Sequence, residues 1–280
     1  MSYSDGATTT QGEASLSLLT GLPGGTRQIR YTNMKDLRAA VEECYKDDQN
    51  PFLVVVDVSP SILEDFDSEY LHKGPRITAN LPERLLILKT MAKPGHESVA
   101  SDLIFYIRVG VLEMGLPDRL ADTLSSRVTS KTGRFVKEPD GSLRPLHHEW
   151  PTVVVETGLS ETRKKLSMDA RGWLETDESE TQVVVTAEID RKAPYIVFHK
   201  WAREAEPRRK ARSYRRVASI VEEVIATRKE DTTEVTGDMT FTFEEVVGRQ
   251  RNEISERDVI ITEADFREIC QNAWAMQGFL

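Results

Sequence analysis

Two carboxylates frame the stretch of this sequence best suited to chemistry. Lys137-Glu138-Pro139-Asp140 is followed, after a turn, by Trp150-Pro151-Thr152-Val153-Val154-Val155-Glu156-Thr157-Gly158. Glu156 closes a run of three valines sixteen positions after Asp140, which puts it at the mouth of a buried strand rather than in its middle. If the strands carrying Asp140 and Glu156 are neighbours, their carboxylates lie close together and repel unless a proton or cation stands between them. Hard oxygen ligands of this kind suit Mg²⁺ or Mn²⁺. A plainer reading stands beside it. Pro-Asp-Gly-Ser is a common turn, and a glutamate can simply end its strand against solvent.

Other charged residues could join the pair. The helix expected after Glu156 carries Lys164, Lys165 and Arg171. At about 100° per residue, Lys164 and Arg171 share one flank of its apolar face and Lys165 lies on the other. The sequence does not say which flank meets the carboxylates. Lys137 is a further cation, and Glu97, beside His96, a further carboxylate. His96 is in line with Val99 and Leu103, a spacing that fits a buried histidine better than a ligand. His147-His148-Glu149 are adjacent on a loop and converge poorly on one ion. Arg208, Arg209, Lys210, Arg212, Arg215 and Arg216, with Tyr214 among them, could meet the phosphates of DNA or RNA or serve as an import signal. They equally make a solvated linker balanced by Glu204, Glu206, Glu222 and Glu223.

The elements that must position these groups follow from periodicity. Leu37, Val41 and Cys44 mark a helix, and FLVVVDV from Phe52 a buried strand. A loop with a helical turn is expected over 59–74, a hairpin around Ile77 and Leu85–Met91, and a helix from Pro94 to the Gly115/Pro117 stop. Strands or hairpins are then expected at Arg127–Val136, Glu138–Leu143 and Thr152–Glu156. A helix capped at Ser160, with Leu166, Ala170, Trp173 and Leu174 inward, leads to paired strands at Gln182–Glu188 and Tyr195–Trp201. Beyond the basic run lie a segment of mixed character to Asp231, a strand at Met239–Val247 with Phe241 and Phe243 on one face, and a strand at Val259–Ile261. Thr262 caps a closing helix to about Met276. The central order of helix, three strands, helix and two strands is that of an α/β core with a mixed sheet.

With 280 residues the chain can bury a substantial core. A formal net charge of −9 excludes a protein that clamps nucleic acid by overall basicity, so phosphate contacts must come from a local patch. The two cysteines, Cys44 and Cys270, give no disulfide framework and lack a partner at catalytic spacing. The Ser/Thr/Gly-rich start reads as disordered rather than as a signal peptide, and no apolar run is long enough for a bilayer. An intracellular protein, cytoplasmic or nuclear, without membrane contact is expected.

The order Pro-Asp, turn, apolar strand ending in Glu, then helix resembles the PD-(D/E)XK restriction-endonuclease-like superfamily. KEPDGSLRP, WPTVVVETGLSET, DARGWL and the Tyr195–Trp201 strand, together with PERLLILKTMAKPGHESVAS and FTFEEVV…ERDVIIT…AWAMQGF, resemble fungal members of it over about Arg76 to Leu280. The resemblance implies a nuclease-like mixed sheet flanked by helices at 89–201, which leaves an N-terminal elaboration at 27–88 and a C-terminal one at 202–280, after the start at 1–26 that composition marks as disordered. It implies that Asp140 and Glu156, with Glu97, hold Mg²⁺ or Mn²⁺ for phosphodiester hydrolysis. The superfamily's lysine, two residues after the glutamate, is replaced by Gly158. Lys164, Lys165 or Lys137 would have to supply it. Otherwise the fold serves as a non-catalytic binding module. The closing helix, with Phe266, Ile269, Ala273 and Met276, packs on its own sheet or on a second subunit. The oligomeric state stays open.

Overall fold

The computed structural model describes residues 18–46, 50–71, 74–90, 94–116, 119–158, 163–203 and 217–280, with side chains of 94–96 outside the description. Two mixed sheets organise it. The first is built from β1 (Arg27–Arg30), β2 (Phe52–Val56), β3 (Arg76–Asn80), β4 (Leu85–Lys89) and, after α3 (Pro94–Glu113) and β5 (Leu120–Asp122), the hairpin β6 (Val128–Thr129) and β7 (Val136–Lys137). Its order is β1-β2-β4-β3-β7-β6, with only β1 and β2 parallel. Helices α1 (Met34–Cys44) and α2 (Ile62–Glu69) cover one face through Leu37, Val41, Ile62 and Phe66. The side-chain period of two decides the rest. Leu86 and Leu88 of β4 and Val136 of β7 face these helices, so Ile87, Lys89 and Lys137 face the opposite way.

The second sheet takes β5, then β8 (Gly141–Pro145), β9 (Val153–Gly158), β10 (Val183–Ile189), β11 (Tyr195–Arg203), β12 (Ala218–Lys229) and β13 (Thr232–Val235). The order is β13-β12-β11-β10-β9-β8-β5, antiparallel except for β9 beside β10. The parallel pair is joined by α4 (Arg163–Glu175), as a parallel crossover requires. Leu166, Ala170, Trp173 and Leu174 of α4 are buried, with Trp173 packed against Val154 and Val184. On the other face α3 and α6 (Glu263–Gln277) pack through Val99, Leu103, Ile107, Phe266, Ile269 and Trp274. The β14 (Met239–Phe241) and β15 (Val259–Ile261) ribbon, with α5 (Phe243–Val247) between its strands, precedes α6 in the chain. The molecule is an α/β fold with mixed sheets flanked by helices. No helix among the described residues is long and apolar enough to cross a membrane.

Several elements differ from expectation for identifiable reasons. The 128–137 hairpin joins the first sheet, and the strand beside β8 is instead β5, three residues too short for alternation to register. The turn expected within 59–74 is the eight-residue helix α2. Residues 218–229 form one twelve-residue strand because pairing along β11 overrides their mixed pattern. Phe241 ends β14 while Phe243 begins α5, since Thr242 and Glu245 form a reciprocal capping box between them. Thr262 caps α6 as expected, with Asp265 as its partner, and α6 lays its apolar face on its own sheet. Ser160 lies outside the described residues.

Candidate functional site

Asp140 and Glu156 meet because β8 and β9 form an antiparallel pair with Gly141 opposite Val155. One step further along the same register sets Asp140 across from Glu156, on the α4 face. Gly141 points to the other face, where an added Cβ would come 3.0 Å from Ile104 and 3.4 Å from the Ala100 carbonyl of α3. A side chain at this first residue of β8 would have to displace Ile104 by a few tenths of an ångström, so glycine eases the close approach of α3.

The inner face of the first sheet supplies the cations. Arg76 and Lys89 are cross-strand partners on β3 and β4, and Lys137 stands opposite Thr78 on β7. Like charges directly opposite one another repel, and Asp140 lies between them. Its Oδ1 is 3.0 Å from Arg76 Nε, and its Oδ2 is 3.1 Å from Lys89 Nζ. Thr157 donates to Oδ2 from its backbone N–H at 2.8 Å and its hydroxyl at 3.0 Å. Glu156 Oε1 accepts from Trp173 Nε1 at 2.6 Å and lies 3.4 Å from Lys137 Nζ. Lys137 also reaches Asp169 of α4 at 3.2 Å, and Lys165, one helical turn before Asp169, pairs with it too. The side chains of Asp140 and Glu156 are 1% and 3% exposed. The cleft lined by these residues with Phe52, Thr78 and Ile87 has room for about one water.

Burial pushes the Glu156 carboxyl up to about 7; Lys137 pulls it down, and Asp140 and Asp169 push it further up. Burial also acts to raise Asp169, but Lys137 and Lys165 outweigh it and hold that carboxyl below its ordinary range. The two groups therefore act in different pH windows. A raised folded-state pKa means that the folded chain binds the Glu156 proton more tightly than the unfolded chain. This contribution is fully present below the ordinary 4.5 and is lost as pH rises through about 7. Asp169 contributes above its ordinary 3.8, and that contribution is lost in more acid solution. Melting temperatures of wild type and Glu156→Gln, measured between about pH 5 and 8, should diverge through this window, with the wild type losing stability as pH rises. Parallel profiles would contradict the assignment.

Of the residues singled out from the sequence, Asp140, Glu156, Lys137 and Lys165 come together. Lys164 is exposed. Arg171 is exposed and lies 3.9 Å from Glu175. Glu97 is on α3, which packs on the opposite face of the second sheet from α4, and it is not among the residues lining the cleft. The His96 side chain and the basic run Arg208, Arg209, Lys210, Arg212, Arg215 and Arg216 lie outside the described residues. His148 pairs with Glu180 at 3.2 Å, away from the cleft. Trp173 and Trp274 are buried core residues. Burial also raises the Cys270 thiol pKa, so the thiolate is disfavoured. Sequence reasoning missed Arg76, Lys89 and Asp169. A signal existed for Lys89, since it ends the LLIL run as Glu156 ends its valines, and for Asp169, four residues after Lys165.

No protein-family profile and no curated protein sequence matches this chain. Among solved structures it is similar to a proposed nuclease belonging to DUF820 from Anabaena variabilis, at 17% identity over 53% of this chain and 80% of that chain, with a TM-score of 0.34.

Proposed function

We propose that this chain is a nuclease-like fold acting as a non-catalytic binding module, its carboxylate pair serving structure rather than phosphodiester hydrolysis. The observation that supports this reading is the matching of every carboxylate in the cleft with a fixed cation: Arg76 and Lys89 at Asp140, Lys137 at Glu156, Lys137 and Lys165 at Asp169, and Arg127 at Glu138. A divalent ion calls for several oxygen ligands carrying uncompensated negative charge. Arg76, Lys89, Lys137 and Lys165 share the cleft with Glu138, Asp140, Glu156 and Asp169, and Arg127 also pairs with Glu138, so the carboxylates are already compensated and do not fit Mg²⁺ or Mn²⁺. Among the described residues no group of three or more His, Cys, Asp or Glu side chains converges as a metal site. The partner we favour is a nucleic acid held by its phosphates, through the cations from Arg208 to Arg216.

The competing reading, a metal-dependent nuclease, draws on one observation, the register that sets Asp140 across from Glu156. It requires the first sheet to move off the pair. Cleavage assays on single- and double-stranded DNA and RNA with Mg²⁺ or Mn²⁺ separate the two. The binding module gives salt-sensitive retardation of nucleic acid, no cleavage, and a melting temperature unchanged by either metal. Metal-dependent cleavage that disappears in Glu156→Gln would establish the nuclease instead.

A further inference from the structure

We infer that the Lys89 ammonium is the resident cation of the carboxylate site and holds the place a divalent ion would need. The inference deepens the non-catalytic reading and rests on it. Lys89 Nζ sits 3.1 Å from Asp140 Oδ2 and 3.0 Å from the Thr157 carbonyl oxygen. A carboxylate oxygen and a backbone carbonyl oxygen converging on one point are the hard donors that divalent ions take, and here both point at an ammonium. Thr157 fixes the arrangement through the peptide units on both sides of its Cα. Its N–H and hydroxyl donate to the same Asp140 oxygen that accepts from Lys89, while its carbonyl accepts from Lys89.

The lysine is placed by strand geometry. Lys89 ends β4, paired with Phe52 on one side and Arg76 on the other. Its aliphatic stem lies beside Phe52 and Ile87 in the cleft wall, and its side chain is 14% exposed. An ammonium carries one charge and binds through directional N–H donors, so it satisfies two acceptors without assembling the six or more oxygens of a metal shell. The first sheet therefore does two things at this site: it covers the pair and supplies the cation that makes a metal unnecessary. Arg76 on the neighbouring strand neutralises the second Asp140 oxygen.

The test is Mn²⁺ binding to the full-length protein, followed by the loss of the free-ion paramagnetic resonance signal, for wild type, Lys89→Ala and Lys89→Ala/Asp140→Asn. Circular dichroism verifies the fold of each. The expected result is no binding by wild type at millimolar Mn²⁺, binding at least about tenfold tighter by Lys89→Ala, a factor any titration resolves, and loss of that gain in the double variant. Should Lys89→Ala not fold, Lys89→Met, which keeps the stem and removes the charge, replaces it. A folded variant that binds Mn²⁺ no better than wild type overturns the inference. Binding by the wild type at millimolar Mn²⁺ also overturns it. The broader reading fails on a different result, metal-dependent cleavage by the wild type, so the two failures are distinguishable.

Discussion

Replacing Lys137 by methionine is expected to destabilise the fold by about 3–5 kcal/mol at neutral pH, the range for removing one partner of a buried ion pair. The side chain is 7% exposed and serves two carboxylates, Glu156 at 3.4 Å and Asp169 at 3.2 Å. Taking the ammonium away leaves both with less compensation in a place water scarcely enters. Methionine keeps most of the volume, so the loss is electrostatic rather than a cavity effect. A pH signature follows. Glu156 can take up a proton in mild acid, which relieves its share of the imbalance, whereas Asp169 is held ionised by Lys165. Urea denaturation of wild type and Lys137→Met at about pH 5 and pH 8 should therefore give a smaller difference at the lower pH. A difference below about 1 kcal/mol at both would mean that the network is worth no more than a surface pair.

Trp173→Ala is the second large effect, with an expected loss of about 3–5 kcal/mol from packing alone. The indole is fully buried and packs edge-on to Phe135 at 5.1 Å and Trp150 at 6.1 Å. It also donates to Glu156 at 2.6 Å, so the one side chain ties the α4 core to the polar cleft. Trp173→Phe divides the two contributions. It retains much of the ring packing and removes the donor, and a hydrogen bond to a charged acceptor contributes about 1.5–3 kcal/mol. Chemical denaturation should rank wild type above Trp173→Phe above Trp173→Ala. Equal stability of wild type and Trp173→Phe would show that the indole N–H contributes nothing to holding Glu156.

What could be read from the chain was local. The VVV run before Glu156, the apolar face of α4 and the Thr262 cap depend on neighbours a few residues away, and each appears where the periodicity sets it. The same holds for Asp140 facing Glu156, because Asp140 immediately precedes β8 and Glu156 lies on β9, consecutive antiparallel strands whose pairing follows from the connection between them. Locality failed where a stronger partner lay elsewhere. The 128–137 hairpin went to β3 of the first sheet, and residues 218–229 went to β11, each drawn by ladder hydrogen bonds that no window of sequence contains.

The character of the site belonged to that second category. Its residue types were visible, and two carboxylates at the mouth of a strand pair read naturally as ligands for a cation. Which cation they face was decided by Lys89, 51 residues away from Asp140 in sequence, and by Arg76 beside it on the adjoining strand. The sequence by itself determined that negative charge would gather at the end of β8 and β9. Only the packing of the first sheet over that end decided its compensation, because burial and the distance to a counter-charge set the electrostatic energy, and both are properties of the folded chain.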